Sequence, residues 1–446
     1  MSAMPFEALP FEAPPFEATD DPECDCRPAS RDLTGTVPSP SRRALLRGAA
    51  LVGATTMFGS AYVTMSPTLA AAATGSRRKP TSTVVVLSLR GAADGLSLVV
   101  PHGDPAYYEA RPSIGIQRGA LVAADGFFGM HPAMAPLLPL WTAGKLAAVH
   151  ATGLPAPNRS HFAAMEQLED ADPGSAQRTG WLNRLVGHDD VSSTLQAVAV
   201  GSSLPTSMIG PEPVMSFGSL DTASLAGGDR RSDPRGLRMK ALRTQWSKNR
   251  TALGGGFREA LDAVVDLDPA RAQRARKGLY PDDDLGKALS SVARTLRADV
   301  GVSAVTVDSG NWDMHVGLGP AGGGWMEQNA GNLAASIAAF FTDLGPVADR
   351  VTLVTISEFG RRVQENANGG LDHGWGNVML VAGAGVKGGR YYGTWPGLAD
   401  GLDADVTVTT DYRSVLAEIV AARTTASTAA VFPGFQRERV GFMVGQ

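Results

Sequence analysis

Runs of consecutive apolar residues recur along the chain and predict the strands of a buried sheet. The first is the β-branched run TVVVLSL at residues 83–89. A strand that is apolar on both faces is typical of a parallel sheet, because both faces of such a sheet are covered. Comparable runs predict further strands at residues 146–150, 195–200, 214–217, 302–307, 351–356 and 377–381.

Helical patterns separate these strands. One predicted helix begins at His131-Pro132 and runs through Trp141, since proline suits the first helical turn. Others cover residues 160–168 and 326–344. The stretch of residues 236–300 is helical throughout, and we interpret about 190–300 as a helical insertion. Strands that alternate with helices predict an α/β fold, in which helices cover both faces of a mostly parallel central sheet.

A different pattern precedes the first strand. The pair Arg42-Arg43 is followed by an apolar stretch from Ala49 to Tyr62, by Pro67 and by small residues up to Ala73. This order predicts a twin-arginine signal peptide over residues 42–74. The alternative, an uncleaved membrane anchor, needs about 20 strongly apolar residues, whereas this segment is short and carries Gly and Thr.

Export has consequences for partners and location. We expect a protein that engages the twin-arginine translocase, lies in the periplasm or outside the cell, and keeps no stable membrane span after cleavage. Residues 1–41 contain a Pro-Phe-Glu-Ala repeat in a proline-rich context and are predicted to be a disordered n-region; a misassigned start codon explains them equally well.

The composition narrows the function classes. Both cysteines, Cys24 and Cys26, lie before the signal, so the domain predicted over residues 80–446 contains no disulfide and depends on packing for its stability. The net charge of -4 and the pI of about 6.0 provide no basic face for nucleic acid. The chain also lacks the serine-hydrolase elbow, the phosphate-binding P-loop, the zincin helix motif and a dinucleotide fingerprint, which disfavours an oxidoreductase.

Candidate ligands follow the predicted strands. Ligands of open parallel sheets bind beyond the carboxyl ends of the strands, and five of the seven histidines lie in such loops or at helix starts. Acidic residues and histidines on an apolar scaffold predict a metal site with oxygen and nitrogen ligands. The alternatives are a turn residue at Asp313 and a hydrogen-bonded loop histidine at His373. The polar residues in these loops are Arg90, Asp94, His150, Asn158, Arg159, Ser160, His161, Asp308, Asp313, His315, Glu358, Arg361, Asp372 and His373.

Ser160 supplies a hydroxyl at a predicted helix start. The helix N-terminus stabilises an anion and therefore favours an activated hydroxyl there. From the residues alone an N-cap role for Ser160 is favoured. Arg90, Arg159 and Arg361 fit either an anion clamp or ion pairs.

Five motifs in order resemble the bacterial family catalogued as domain of unknown function 1501. The resemblance covers the chain from about Val84 to its C-terminus, and twin-arginine signals are usual in that family. The motifs are Leu89-Arg90-Gly91-Ala92-Ala93-Asp94-Gly95, Arg159-Ser160-His161-Phe162, Trp312-Asp313-Met314-His315, Ser357-Glu358-Phe359-Gly360-Arg361 and Asp372-His373-Gly374-Trp375-Gly376-Asn377.

The family is similar to the alkaline phosphatase and sulfatase superfamily. The resemblance implies an alkaline phosphatase-like three-layer sandwich with one or two divalent metals, of which Zn, Mn, Mg and Ca are all candidates. By position Ser160 falls near the nucleophile. The metal ligands implied by residue type and position are Asp94, Asp313, His315, Glu358, Asp372 and His373.

The chain also departs from the superfamily pattern. Glu358-Phe359 stands where the superfamily has Asp-His, which removes an imidazole, and Asp313 and His315 are separated by one residue rather than three. The domain has no cysteine, so the formylglycine of most sulfatases is excluded. These departures leave open whether the site holds two metals, one or none.

Two functions therefore remain. The first is metal-dependent hydrolysis of a phosphate or sulfate ester, with Ser160 or a metal-bound water as nucleophile and Arg90 or Arg361 holding the anion. The second is a non-catalytic binding or assembly protein on the same scaffold, which serves the cell envelope and binds an anionic or glycan ligand. Phe359, at the position of a ligand histidine, motivates the second.

Overall fold

A computed structural model describes residues 56–58, 61–63, 78–172, 178–191, 193–201, 203–223 and 235–444. All of these belong to one compact unit, Ala49–Gln446. The predicted n-region, residues 1–41, and the pair Arg42-Arg43 lie outside the described residues.

The described residues form thirteen strands, several of which match the predicted runs. Residues 83–89 and 351–356 are strands with the expected bounds, and the run predicted at 146–150 extends to residue 153. The strands are β1 (Thr56–Phe58), β2 (Ala61–Val63), β3 (Thr83–Leu89), β4 (Val99–Val100), β5 (Gly129–Met130), β6 (Leu146–Gly153), β7 (Ala197–Val200), β8 (Met215–Phe217), β9 (Ala304–Ser309), β10 (Val351–Ile356), β11 (Asn377–Gly383), β12 (Arg390–Tyr392) and β13 (Thr410–Asp411).

Eleven of these strands make the central sheet of the described chain, in the order β1-β2-β8-β7-β9-β3-β10-β11-β6-β12, with β13 also paired to β6. The pairs from β8 to β10 are parallel. β11 runs antiparallel to both β10 and β6, so β6 again points in the same direction as β10. The prediction of a mostly parallel central sheet is confirmed.

The helices cover both faces of this sheet. Short 3-10 helices at Arg118–Ala120, Pro132–Leu137, Thr206–Met208 and Gly345–Arg350 accompany them. The α-helices are Gly95–Leu98, Pro105–Ala110, Leu138–Thr142, His161–Asp170, Trp181–His188, Leu237–Trp246, Ala252–Asp266, Asp268–Ala272, Asp284–Arg297, Gly324–Leu344, Tyr412–Arg423 and Thr428–Val431.

Alternate residues of β3 enter two separate cores, as the period of a strand requires. Val85 and Leu87 pack into one core, which the helices Asp284–Arg297 and Gly324–Leu344 complete with residues such as Leu289. Val84 and Val86 pack into the other, beneath the helices His161–Asp170, Trp181–His188 and Tyr412–Arg423. Helix, sheet and helix therefore form the three layers that the sequence predicts.

The region predicted as an insertion, about 190–300, contributes to the same unit. It supplies β7 and β8 to the central sheet. It also supplies the helix Asp284–Arg297, whose Leu285, Leu289, Val292 and Leu296 lie in the core, as their helical spacing predicts.

One predicted helix consists of two helical segments of different type. The segment from Pro132 forms a 3-10 helix to Leu137, and an α-helix follows only at Leu138–Thr142. Pro136 lies inside the 3-10 stretch. Because proline has no N–H to donate and its ring clashes with the preceding turn, a continuous α-helix is disfavoured there.

Two described strands lie inside the predicted signal peptide. β1 and β2 pair antiparallel with each other, and β2 pairs with β8 at the edge of the sheet. The other residues of 42–74 lie outside the described part. Among the described helices, none has the length and apolar character needed to cross a bilayer.

Candidate metal centre

The loops with candidate ligands meet at one edge of the sheet. β3, β9 and β10 end side by side, since Leu89 pairs with Ser309 and Ser88 with Ile356. β6 ends at the same edge, and antiparallel β11 begins there, with Asn377 opposite Thr152. The prediction that the polar loops gather beyond the strand ends is confirmed.

A glycine allows two of these loops to touch. Gly91, directly after β3, has φ of +108°, and a Cβ on it would lie 2.6 Å from the backbone nitrogen of Asp313. Only glycine adopts this conformation without strain. The Gly91 N–H donates to Glu358 Oε1 at 2.8 Å, so the loop after β3 joins those after β9 and β10.

Three imidazoles converge where the loops meet. His161 begins the helix His161–Asp170, His315 lies in the loop after β9, and His373 precedes β11. The Nε2 atom of His373 lies 2.9 Å from that of His161 and 2.9 Å from that of His315. Asp313 Oδ1 lies 3.6, 3.2 and 3.6 Å from the Nε2 atoms of His161, His315 and His373, respectively.

The outer nitrogen of each ring faces a hydrogen-bond acceptor. His161 Nδ1 lies 2.9 Å from Glu358 Oε1, and His315 Nδ1 lies 3.0 Å from Asp372 Oδ1. His373 Nδ1 lies 2.9 Å from the carbonyl oxygen of Arg159. Carboxylates and carbonyls only accept, so each Nδ1 donates its N–H outward and each Nε2 faces the other rings.

The facing side-chain atoms are arranged so that a cation can bind between them. One ligand atom each from His161, Asp313 and His373 lie within 4.8 Å of one another, a group that can hold a metal ion. Ligands at 2.0–2.2 Å from a tetrahedral zinc are separated by about 3.3–3.5 Å. The two Asp313–histidine spacings of 3.6 Å lie close to that geometry, whereas the 2.9 Å spacing of the His161 and His373 nitrogens is shorter. Acceptors behind metal-bound imidazoles are the usual outer partners.

The electrostatics keep His373 ready to donate its lone pair. Burial, the neighbouring Arg361 guanidinium and the two other histidines lower the pKa of His373 to about 4. Burial alone would raise the pKa of Glu358, but hydrogen bonds from His161 and from backbone amides lower it below its usual value. At neutral pH the site therefore combines a neutral imidazole at His373 with an ionised carboxylate behind His161.

Arg361 ties the loops together. Its buried guanidinium donates to the carbonyl oxygens of Gly91, Ala92 and Leu371 at 2.6–3.0 Å and to Asp313 Oδ1 at 2.6 Å. Burial would raise the pKa of Asp313, but the bond and charge of Arg361 lower it. Arg361, which the sequence suggests as an anion clamp, thus fixes Asp313 and the loop backbone.

Phe359 packs against the metal-site rings. It is buried, and its ring centroid lies 4.9 Å from that of His161 and 5.0 Å from that of His373. His161, from another loop, places an imidazole beside Phe359. Sequence reasoning places His161 among the polar loop residues but not among the ligands.

Asp94 lies apart from the three imidazoles. Both its oxygens accept from Arg111, at 2.5 and 3.0 Å, and both side chains are buried. Burial raises the pKa of Asp94, and Arg111 more than offsets this, so the pKa is lowered. Arg111, 17 residues further along the chain, gives no signal of this pairing in the sequence.

The remaining predicted residues have mixed placements. Ser160 is exposed at the N-cap position before His161, but its side chain makes no capping hydrogen bond. Arg90 is engaged by Glu169 at 2.6 Å and by Asp308 at 3.0 Å. Glu358 and Asp372 contact histidines rather than the point where the Nε2 atoms converge.

Comparison with known proteins assigns a family. The family described as "Protein of unknown function (DUF1501)" matches residues 118–439. The chain belongs to the DUF1501 family. The family resemblance is thereby confirmed, with four of the five motifs inside the matched residues. No curated protein sequence matches the chain.

Solved structures resemble this DUF1501 protein distantly. Ps i-CgsB is 11% identical and covers 80% of this chain and 75% of its own, with a TM-score of 0.35. PsFucS1 sulfatase from Pseudoalteromonas sp. is 13% identical; the match covers 77% of this chain and 67% of that chain, with a TM-score of 0.32. The C-terminal periplasmic domain of EcEptC from Escherichia coli, in complex with Zn, is 12% identical; the match covers 82% of this chain and 93% of that chain, with a TM-score of 0.34. Likenesses at this level carry no argument about activity.

Proposed function

We propose that this DUF1501 protein is an exported, metal-dependent hydrolase of phosphate or sulfate esters. The observation that carries the proposal is the convergence of the His161 and His373 Nε2 atoms and Asp313 Oδ1 within 4.8 Å. With its Nδ1 on an acceptor, each ring directs an unprotonated nitrogen towards its neighbours. A divalent metal ion between these nitrogens and Asp313 Oδ1 would bind their facing lone pairs.

The donor set favours one class of metal. Imidazole nitrogens with one carboxylate oxygen suit zinc and other nitrogen-preferring transition ions. Magnesium and calcium prefer shells of oxygen ligands. Among the metals compatible with the sequence, zinc therefore fits best, held by His161, Asp313 and His373, with His315 Nε2 3.2 Å from Asp313 Oδ1.

The residues around the metal have separable roles. A metal bound there supplies Lewis-acid polarisation of an ester oxygen and lowers the pKa of a coordinated hydroxyl. Ser160 is exposed, makes no cap bond and sits at a helix N-terminus that stabilises negative charge, which supports a nucleophilic role. Arg361 positions Asp313, while Glu358 and Asp372 orient His161 and His315.

The structure also supports a specific rival. Three histidines and Asp313 can fill all four positions of a tetrahedral ion, and a closed shell is typical of structural rather than catalytic zinc. The closed and open sites differ in whether His315 is a ligand. Its Nε2 also lies 3.4 Å from Arg361 Nη1, a donor that partly satisfies its lone pair and supports three protein ligands with an open fourth position.

Metal analysis with an ester screen tests the proposal. We expect purified mature protein to contain about one zinc per chain by mass spectrometry and to cleave aryl phosphates or aryl sulfates. His161→Ala should lose both metal and turnover, whereas His188→Ala, an exposed histidine of Trp181–His188, should keep both. Equal, negligible metal in all three proteins overturns the proposal; bound metal without turnover favours the closed binding site.

Export has its own test. Replacing Arg42 and Arg43 together by lysine should leave the protein in the cytoplasm, because the twin-arginine pair is the recognition element of the predicted signal. Arg47→Lys, outside the pair, should be exported normally. Unchanged export of the double variant contradicts the twin-arginine route.

A further inference from the structure

Large apolar side chains are exposed on segments that carry residues of the candidate site. Eight such residues occur in the described part of the chain, and four of them lie on segments attached to the site. Isolated exposed apolar residues are ordinary on protein surfaces, but a group of them at a functional site marks a binding surface. The four are Phe162, Val316, Trp325 and Leu402, which we call the apolar collar.

Two members of the collar are chain neighbours of site histidines. Phe162 follows His161 and is 92% exposed, so it makes almost no contact that would explain its presence by packing. Val316 follows His315 and is 58% exposed. Both side chains are therefore held within one residue of an imidazole that faces the metal position.

Trp325 extends the collar on the side of His315. The backbone N–H of Trp325 donates to the carbonyl of Gly317 at 3.1 Å, and a Cβ on Gly317 would lie 3.3 Å from the Trp325 indole. The indole thus packs over the same loop and remains 57% exposed. Gly317 has φ of +63° and no side chain, which leaves room for the ring.

Ion pairs tie the segment that follows Leu402 to two loops of the site. Arg159, whose carbonyl accepts from His373, pairs with Asp405, and Arg362, next to Arg361, pairs with Asp403 at 2.9 Å. These contacts also neutralise the two arginines. Neither Arg159 nor Arg362 therefore offers an uncompensated cation to a polyanionic glycan.

We propose that the apolar collar binds the alcohol portion of the ester, and that this portion is an aryl or alkyl group rather than a sugar. The inference rests on the proposed function, because it is the ester at the metal that brings the apolar group to the collar. Phe162 and Val316 adjoin His161 and His315 in the chain, and Trp325 packs on the loop that carries His315, so an ester bound at the metal has apolar side chains on the adjoining segments. Burial of an apolar group against them adds affinity in proportion to its area.

Calorimetric binding of alkylphosphonates to the zinc-loaded mature protein tests this, because phosphonates bind without turnover. With chains of two, four, six and eight carbons, we expect affinity to increase about twofold per methylene, since a fully buried methylene gives about fourfold. Phe162→Ala and Trp325→Ala should each weaken the eight-carbon ligand about fivefold and leave the two-carbon ligand unchanged. Val265→Ala, an exposed apolar residue of Ala252–Asp266, is the matched control and should change neither.

The outcomes separate the two proposals. Affinity that is independent of chain length, or Phe162→Ala and Trp325→Ala variants that bind both ligands like wild type, overturns the collar. Phosphonates that bind with the expected chain dependence, in a protein that cleaves no ester, support the collar and overturn the hydrolase. Binding to phosphatidylcholine vesicles that Phe162→Ala abolishes, with no chain dependence, assigns the surface to a membrane and overturns the inference.

Discussion

His161 and His373 are 212 residues apart in the chain, and their Nε2 atoms lie 2.9 Å apart. Each ring is held from behind, His161 by Glu358 and His373 by the Arg159 carbonyl. Together with Asp313 Oδ1, these two nitrogens form a group that can hold a metal ion.

The carboxylates behind the imidazoles should control metal affinity. We expect Glu358→Gln and Asp372→Asn each to lower zinc affinity about 10- to 100-fold, because loss of charge weakens the orientation and basicity of the ring. Competition with a chromophoric chelator measures this. Glu327→Gln, in the first turn of Gly324–Leu344, should bind zinc like wild type, and equal affinity in all variants contradicts the assignment.

Asp94 should affect stability without affecting the metal. Its removal leaves the buried Arg111 guanidinium without its carboxylate, which costs about 3–5 kcal/mol for a buried pair. We expect Asp94→Asn to unfold at lower denaturant concentration while the folded protein retains its zinc. Removing both partners, as in Asp94→Leu with Arg111→Met, should recover much of the loss. Zinc lost from the folded single variant restores Asp94 as a ligand.

Gly91 should be intolerant of a methyl group. In Gly91→Ala the added carbon meets the Asp313 backbone at 2.6 Å in a left-handed conformation, so we expect a loss of about 1–3 kcal/mol together with weaker zinc binding. Gly119→Ala has open space and no positive φ and serves as the control. Chemical denaturation with zinc titration reports both quantities, and a neutral Gly91→Ala contradicts the close approach of the two loops.

The stability of the metal-free protein should fall in mild acid. Burial lowers the pKa of His131 and His150 to about 4 from the usual 6.5. The unfolded chain then binds more protons between these values, so stability is full above pH 6.5 and decreases as pH falls towards 4. At pH 5 each histidine lowers the free energy of unfolding by on the order of 1–2 kcal/mol relative to neutral pH.

His150→Leu is the variant that checks this pH dependence. His150 Nδ1 is buried without a hydrogen bond, and its ring stacks on Phe128 at 4.6 Å. An apolar side chain there should flatten the decline of melting temperature between pH 7 and 5. Asp349→Asn, at an exposed surface ion pair with Lys145, should leave the slope unchanged, and identical slopes in His150→Leu and wild type would rule out the contribution of His150.

The fold and the location of the site were readable from the sequence because both follow from local patterns. The apolar run at 83–89 matches β3, and the polar residues after β3, β6, β9 and β10 gather at the edge that the parallel rule requires. Residue type alone predicted oxygen and nitrogen ligands, and Asp313 and His373 lie among the atoms that can hold an ion.

The division of roles within the site was not readable. Whether Glu358 touches a metal or a histidine depends on which atoms face which, and that is fixed by contacts between loops far apart in sequence. The same applies to Asp94, whose partner Arg111 is set by the packing of a neighbouring segment. His161 was not predicted to be a ligand, because the candidate chemistry in its motif is the hydroxyl of the adjacent Ser160.

The hydrogen bonds of Arg361 have a consequence for how the site takes up its ion. Carbonyls from the loops after β3 and before β11, together with Asp313, are fastened to one buried side chain that needs no metal to hold them. The conformational entropy of those loops is lost when the chain folds rather than when the ion arrives. Such a preorganised centre would exchange one divalent ion for another with little rearrangement, and the ion it carries would reflect what the surrounding compartment offers.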